Sequence, residues 1–388
     1  MRCATIASVT FALQRRVGED RRTDRDVTSV SFASEPSPTN DRPPHLWPRQ
    51  GRAPPCGGVS LGRDTHSRLL AVGAKVTAVV ATLFETGHYE AGAAALLNSL
   101  VAAGFRGRVW CGIRGAPPAW LEPSAVRTCV GDAITIRTVP VATPGHLTMY
   151  KPHFMTAIAQ EERSATSLVY FDPDIVVKCG WPFIDRWCAR GIAAIADPNW
   201  CLPASSPVRA DWDDVRRDFG LGLPMPERSA RLELYCNGGF VGVSKACEAF
   251  WTAWQDLIDT TCAAGPTCAT ALSEGRSMGR VGDWHLDQDL LNMALMDWGH
   301  LAHLMGPEAM DFAPGGDVLS HATGTPKPWQ RHFIRGALSG RAPSKSNREY
   351  LRYAAGPFQL HSPRALRRKL YCYKAARALG TVARRVDH

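Results

Sequence analysis

The residues best suited to chemistry lie in two short segments far apart in the chain. The first is Leu168-Val-Tyr-Phe-Asp172-Pro-Asp174, in which two carboxylates separated by one residue follow a continuous apolar run. Carboxylates at this spacing, just past a buried strand, can both reach one Mg2+ or Mn2+, hard cations that take oxygen ligands and then bridge phosphate oxygens. Taken alone, Asp-Pro-Asp also suits a plain turn. The second segment, Ser320 to Trp329, holds His321, Gly324 and Lys327. An imidazole is a ligand for Mn2+, a glycine lets the backbone approach a phosphate closely, and a lysine supplies a cation for diphosphate oxygens. A surface loop with an idle histidine is the competing account of that segment by itself.

The elements that must position these groups begin at Lys75. The run Lys75 to Leu83 is nearly continuous in apolar residues, as expected of a parallel strand covered on both faces. Tyr89 to Ala103 then places Ala93, Leu96, Leu97, Leu100 and Val101 on one helical stripe, and Arg108 to Ile113 returns as a strand, which makes a βαβ unit. Further strands are predicted at 133–139, 167–171, 191–196 and 233–243, with helices near 151–163, 181–190, 246–260 and 286–296. The helix stripe Phe250, Trp251, Trp254, Leu257 and Ile258 reads as core. The fold class is α/β, with a mostly parallel central sheet flanked by helices, and Asp172 and Asp174 sit at the strand ends where such sheets bind ligands. No G-x-G-x-x-G follows the first strand and no phosphate-binding P-loop motif is present, so a dinucleotide site of the usual kind is disfavoured. The Gly, Ala, Ser and Thr-rich stretch 263–282 reads as a flexible loop near a site.

Charge is distributed unevenly over the 388 residues. Residues 1–74 hold 11 Arg and 7 acids, residues 75–362 hold 26 basic and 28 acidic side chains, and residues 363–388 hold 8 basic and 1 acidic, for a net +9. A nucleic-acid enzyme would carry its excess in the folded body, so the slightly acidic middle argues against a nucleic-acid partner. Residues 1–74 lack periodicity and read as a disordered or mis-assigned N-terminal extension; the apolar run Cys3 to Leu13 makes a poor signal peptide, and no run has the length of a membrane span. Twelve cysteines without a CxxC suit reduced thiols in a cytosolic protein better than zinc or a disulfide framework. In the region 331–388, the segment Pro363 to His388 reads as a basic amphipathic helix, which suits an anionic membrane surface or, equally, packing on the body.

In chain order, Ala81-Thr82-Leu83, His88-Tyr89, Tyr150-Lys151, Asp172-Pro-Asp174, Asp197, Tyr235-Cys-Asn237-Gly-Gly239, Asp287-Gln288-Asp289 and His321 to Trp329 resemble the motifs of the GT-A-fold glycosyltransferases of family eight, over about residues 75–330. That resemblance implies a GT-A type nucleotide-diphospho-sugar transferase fold. It also implies a metal-dependent, retaining transfer of a hexose from a nucleotide-diphosphate sugar of the UDP class to a hydroxyl acceptor such as a cell-envelope glycan or glycolipid. Asp172, Asp174 and His321 would ligate Mn2+ or Mg2+, while Gly324 and Lys327 would contact the diphosphate. Thr82 and Tyr89 fall where the family binds uracil; Lys151, Asp197, Asn237 and Gln288 fall where it holds the donor sugar and reaction centre. The family's carboxylate near the end of the first strand is replaced by Ala81-Thr82, with Glu85 as a substitute.

Several of these positions have simpler accounts. Lys151 can merely open a helix before Pro152, Asn237-Gly-Gly239 can be a strand bulge, and Asp287 can cap its helix. Gln288 is a poor nucleophile, so same-face attack by the acceptor is expected, with Gln288 and Asp197 orienting the sugar and Asp287 as the residual nucleophile or base. The competing functions are a metal-dependent phosphoesterase and a non-catalytic nucleotide-sugar or glycan-binding protein. The expected location is cytoplasmic, with peripheral attachment at the inner face of the membrane through 363–388.

Overall fold

The computed structural model describes residues 78–124, 126, 134–198, 203, 205–218, 232, 234–263 and 286–386. The chain divides at Leu69/Leu70 into two units, and all of these residues belong to the second. The extension expected at 1–74 lies outside the described residues, as does the loop expected at 263–282 except for its first residue.

A seven-stranded sheet forms the centre. Its strands are β1 (Val79–Glu85), β2 (Gly107–Arg114), β3 (Ile134–Pro140), β4 (Ser167–Phe171), β6 (Ile192–Ala196), β7 (Cys236–Ser244) and β8 (Ala302–Met305), in the order β3-β2-β1-β4-β7-β6-β8. Only β7 runs antiparallel to its neighbours, so the expected α/β class with a mostly parallel sheet is the one present. Period-two alternation explains why apolar runs form these strands: Val79, Ala81 and Leu83 enter one core layer, while Val80 and Phe84 enter the other. A separate antiparallel pair joins β5 (Ile175–Val177) to β9 (Leu319–His321).

The helices are α1 (Glu90–Ala102), α2 (Lys151–Glu161), α3 (Trp181–Cys188), α4 (Pro207–Asp218), α5 (Ala249–Ala263), α6 (Leu286–Trp298), α7 (Phe333–Leu338), α8 (Lys345–Tyr353) and α9 (Pro363–Val386). The aromatic stripe of α5 is core, with Phe250, Trp251 and Trp254 fully buried. Helix α1 departs from the single stripe expected of it, because every residue from Gly92 to Leu100 is buried. The sheet covers one side and the C-terminal helices cover the other, where Ala95 joins Phe333, Tyr350, Leu351 and Ala376 in a third core cluster.

Asn98 fastens that second side. Its amide nitrogen donates to the carbonyls of Tyr353 (2.8 Å) and Phe358 (3.1 Å), and its oxygen accepts from Phe358 N–H (2.8 Å). Among the described residues no helix is long and apolar enough to cross a membrane. Six cysteines among the described residues are free thiols, and burial pushes Cys111 and Cys236 up to about 12. Asn98→Ala removes three bonds and leaves buried backbone groups unpartnered, so it is expected to lower stability by about 2–4 kcal/mol. A lower urea midpoint with an unchanged m-value is the measurement that checks it.

Candidate active site

The two candidate segments meet through the β5–β9 pair. Ile175 pairs with His321, Val176 with Ser320 and Val177 with Leu319, and Ala322 N–H donates to the Asp174 carbonyl at 3.0 Å. On the other side, Asp172 N–H donates to the Gly239 carbonyl at 2.7 Å, which ties the carboxylate segment to the start of β7. One ligand atom from each of Asp172, Asp174 and His321 lies within 4.8 Å of the others.

These groups are strongly constrained. His321 Nε2 stands 3.2 Å from Asp174 Oδ1, and Lys327 Nζ donates to Asp174 Oδ2 at 2.5 Å and to the Ala322 carbonyl at 2.9 Å. Burial alone would raise the Asp174 carboxyl, but the adjacent His321 and Lys327 outweigh it and hold the group well below the usual carboxylate range. Asp172 accepts from Tyr170 OH through Oδ1 (3.0 Å) and from Lys151 Nζ through Oδ2 (3.3 Å), and Lys151 is itself buried, donating also to the Gly238 carbonyl at 2.9 Å. Although its burial disfavours the charged form, Asp172, Asp287 and Asp174 together keep the Lys151 ammonium above its ordinary range.

Two carboxylates and an imidazole form a donor set that fits a divalent cation. His321 Nδ1 is buried without a hydrogen-bond partner among the described residues, so the ring has an uncommitted nitrogen. Gly239 makes room for this ring: a Cβ there would fall 2.6 Å from His321 Cε1. Gly324 has φ of +77° with open space around its α-carbon, so its requirement is the left-handed backbone.

The metal candidates face a cavity of about 240 Å³, which Tyr89, Lys151, Gly324 and Lys327 also line. Thr82 is not on this cavity. It lies fully buried in β1 with its hydroxyl unpartnered among the described residues, while Leu83, Phe84 and Glu85 of the same strand line the cavity. Trp329 anchors the second segment: its indole N–H donates to the His88 carbonyl at 2.9 Å, and its ring packs edge-on against Tyr89.

The remaining expected residues form a network beside the cavity. Gln288 Oε1 accepts from Gly238 N–H (3.0 Å) and from Asn237 Nδ2 (3.3 Å), while Gln288 Nε2 donates to Asp197 Oδ2 at 3.1 Å. Asn237 also donates to Asp197 Oδ2, at 2.9 Å. The Gly238 peptide joins this network to the metal candidates, since its carbonyl holds Lys151 and its N–H holds Gln288. Asp287 lies within the first turn of α6, 3.6 Å from Lys151, rather than at the helix cap.

Sequence reasoning missed four contributors. Tyr170 holds Asp172, and the shared parity of the two positions along the strand was the available signal. His146 and Thr148 line the cavity from a segment with no distinctive pattern. Asn292, one turn after Gln288, brackets Cys236 through both its N–H and its carbonyl and so docks α6 on β7.

Neither a protein-family model nor a curated protein sequence matches the chain. Among solved structures it is similar to the glycosyltransferase GlyE of Streptococcus pneumoniae, at 15% identity and a TM-score of 0.45, over 78% of this chain and 64% of that one. It is similar to the bifunctional glycosyltransferase WbbM at 14% identity and a TM-score of 0.44, over 78% of this chain and 52% of that one. It is similar also to the galactosyltransferase LgtC, solved with donor and acceptor sugar analogs, at 15% identity and a TM-score of 0.42, over 75% of this chain and 99% of that one. The chain thus spans less than two thirds of the length of GlyE and WbbM.

Two outcomes follow from the packing. Gly239→Ala pushes a methyl group into the His321 ring and is expected to weaken Mn2+ binding by about tenfold or more in calorimetric titration, with the circular dichroism spectrum unchanged. The second concerns Asp289, which accepts from Tyr235 OH at 2.7 Å and leaves its other oxygen unpartnered. Burial, with the Asp287 charge behind it and Tyr235 only partly offsetting it, pushes Asp289 up from 3.8 to about 7. The folded state therefore binds the proton more tightly than the unfolded chain, and stability falls as pH rises from about 4 to about 7, then levels off. Asp289→Asn is expected to gain about 2–4 kcal/mol at pH 8 and almost nothing near pH 4, as read from thermal melts across pH.

Proposed function

We propose that the protein is a metal-dependent glycosyltransferase that moves a hexose with retention from a nucleotide-diphosphate sugar, of the UDP class, to a hydroxyl of a glycan or glycolipid. The observation that carries this reading is the convergence on one cavity of the Asp172, Asp174 and His321 donor set with the Lys327 ammonium, next to the Asp197, Asn237 and Gln288 network. The family resemblance of the same residues supports it. Asp172, Asp174 and His321 would hold a Mn2+ or Mg2+, which would supply positive charge for the donor's diphosphate.

The chain's own residues do the rest. Lys327 carries a compact charge to the leaving diphosphate, and Gly324 brings backbone close to it without a side chain in the way. Tyr89 and Glu85 line the nucleoside end, replacing Thr82 in that role. Lys151 holds Asp172 in place and partly neutralises Asp287. Gln288 has both ends of its amide engaged, so it is a fixed polar surface against which a sugar can be oriented, together with Asp197 and Asn237. An amide is a poor nucleophile and Asp287 faces a lysine, so the acceptor hydroxyl attacks from the face the leaving group vacates.

A thermal-shift screen of nucleotide sugars with and without Mn2+ tests this reading. A matched donor at a hundredfold excess over its Kd is expected to add about 2.7 kcal/mol of stability, only with Mn2+ and not in Asp174→Ala. Lys327→Ala is expected to lower kcat by about 10²- to 10³-fold in an acceptor-dependent transfer assay. Donor stabilisation without metal, or phosphate-ester cleavage that never needs an acceptor, overturns the proposal, the second outcome in favour of a phosphoesterase.

A further inference from the structure

Residues 306–318 lead into β9 and so set where His321 arrives. This stretch closes on itself: Asp311 N–H donates to the Glu308 carbonyl at 3.2 Å, Phe312 N–H donates to the Pro307 carbonyl at 3.1 Å, and a Cβ on Gly316 would fall 1.6 Å from the Glu308 carbonyl oxygen. Asp311 turns the chain in the left-handed region, with φ of +61°, a conformation that aspartate tolerates better than most residues. Its side chain is 1% exposed.

A carboxylate buried to that degree needs cations, and two lysines supply them. Lys178, the residue after β5, places Nζ 2.6 Å from Asp311 Oδ1 and 2.7 Å from the Gly316 carbonyl oxygen. Lys345, the first residue of α8, reaches the same two oxygens, at 2.6 and 2.9 Å. The exposed Asp317, 3.9 Å from Lys178, is too distant for a hydrogen bond. One carboxylate thus joins the end of β5, the approach to β9 and the start of α8.

The next residue carries this constraint to the candidate metal site. Phe312 packs its ring against the His321 imidazole, with centroids 5.7 Å apart and planes tilted by 40°. Gly239 gives the imidazole its room and Phe312 bounds it, so the ring's freedom to turn depends on where the anchored loop holds Phe312.

We propose that Asp311 is a positioning residue for His321: anchored by Lys178 and Lys345, it fixes Phe312 against the imidazole and so keeps His321 Nε2 beside the Asp174 carboxylate. The inference rests on the reading of Asp172, Asp174 and His321 as metal ligands. It also gives α8 a part in the site, through Lys345. An anchor that served stability alone would leave the metal affinity of the folded protein unchanged.

Calorimetric titration of the full chain with Mn2+, below the melting temperature of each variant, tests this role. Asp311→Asn keeps the shape and the left-handed turn but leaves two ammonium groups without a counter-charge, and it is expected to weaken Mn2+ binding by about tenfold or more, as for other groups that orient a metal ligand. Phe312→Leu is expected to do the same. Because the two residues act in series, the double variant is expected to bind about as weakly as the weaker single variant. Lys345→Met, at a partly exposed position, is expected to give a smaller loss and Lys345→Arg to retain binding; this pair carries the test if Asp311→Asn does not fold. Undiminished Mn2+ affinity in folded Asp311→Asn, or in Lys345→Met where the former does not fold, overturns the inference. So do losses for Asp311→Asn and Phe312→Leu that multiply in the double variant. Wild-type protein that binds no Mn2+ overturns the metal-site reading and this inference together, whereas wild-type binding with unaffected variants overturns this inference alone.

Discussion

A carboxylate as buried as Asp174 must be compensated, and the local architecture is built around that requirement. Lys327 and His321 supply the compensation from a segment about 150 residues further along the chain, and the β5–β9 pair holds the two segments in register. If either partner were absent, the remaining buried charge would be costly. The same three groups therefore form a structural clasp, and two of them, Asp174 and His321, belong with Asp172 to the candidate metal site.

A second junction, the Gly238 peptide, links that cluster to the rest of the site. Its carbonyl accepts from Lys151 and its N–H donates to Gln288, so the helix start at α2, the start of β7 and the start of α6 share one peptide unit. The glycine pair matters for different reasons at its two positions. Gly239 is required because a side chain would collide with His321, while Gly238 serves through its backbone. Asn292 then fixes α6 on β7, which keeps Asp287, Gln288 and Asp289 pointed at three separate partners.

The C-terminal helices serve both as structure and as surface. By covering α1 they complete a core that the sheet alone would leave open, with Asn98 as the polar fastener and Trp329 as the hinge between site and helices. Lys369 reaches the Trp329 carbonyl at 3.1 Å, so the helical region is tied directly to the segment that carries Lys327. Leu366, Tyr373 and Ala376 of α9 are spent on that packing, while Arg364, Arg367 and Arg368 are left exposed.

The sequence by itself determined the α/β class, most strands and helices to within a few residues, and which residue types could act together at the candidate site. It could do so because apolar periodicity and the types of Asp172, Asp174, His321 and Lys327 are local properties. It could not show that β5 and β9 exist, since three residues are too few for a periodic signal, and it took α1 for a one-sided helix because its second cover comes from residues more than 200 positions away. It set Thr82 beside the nucleoside from its place in the motif order; the packed sheet buries that side chain, while Leu83, Phe84 and Glu85 line the cavity. Tertiary structure decided these points because they depend on which distant surface covers each face. Burial, pairing and the sharing of one peptide by two side chains are properties of the packed chain, and no local pattern encodes them.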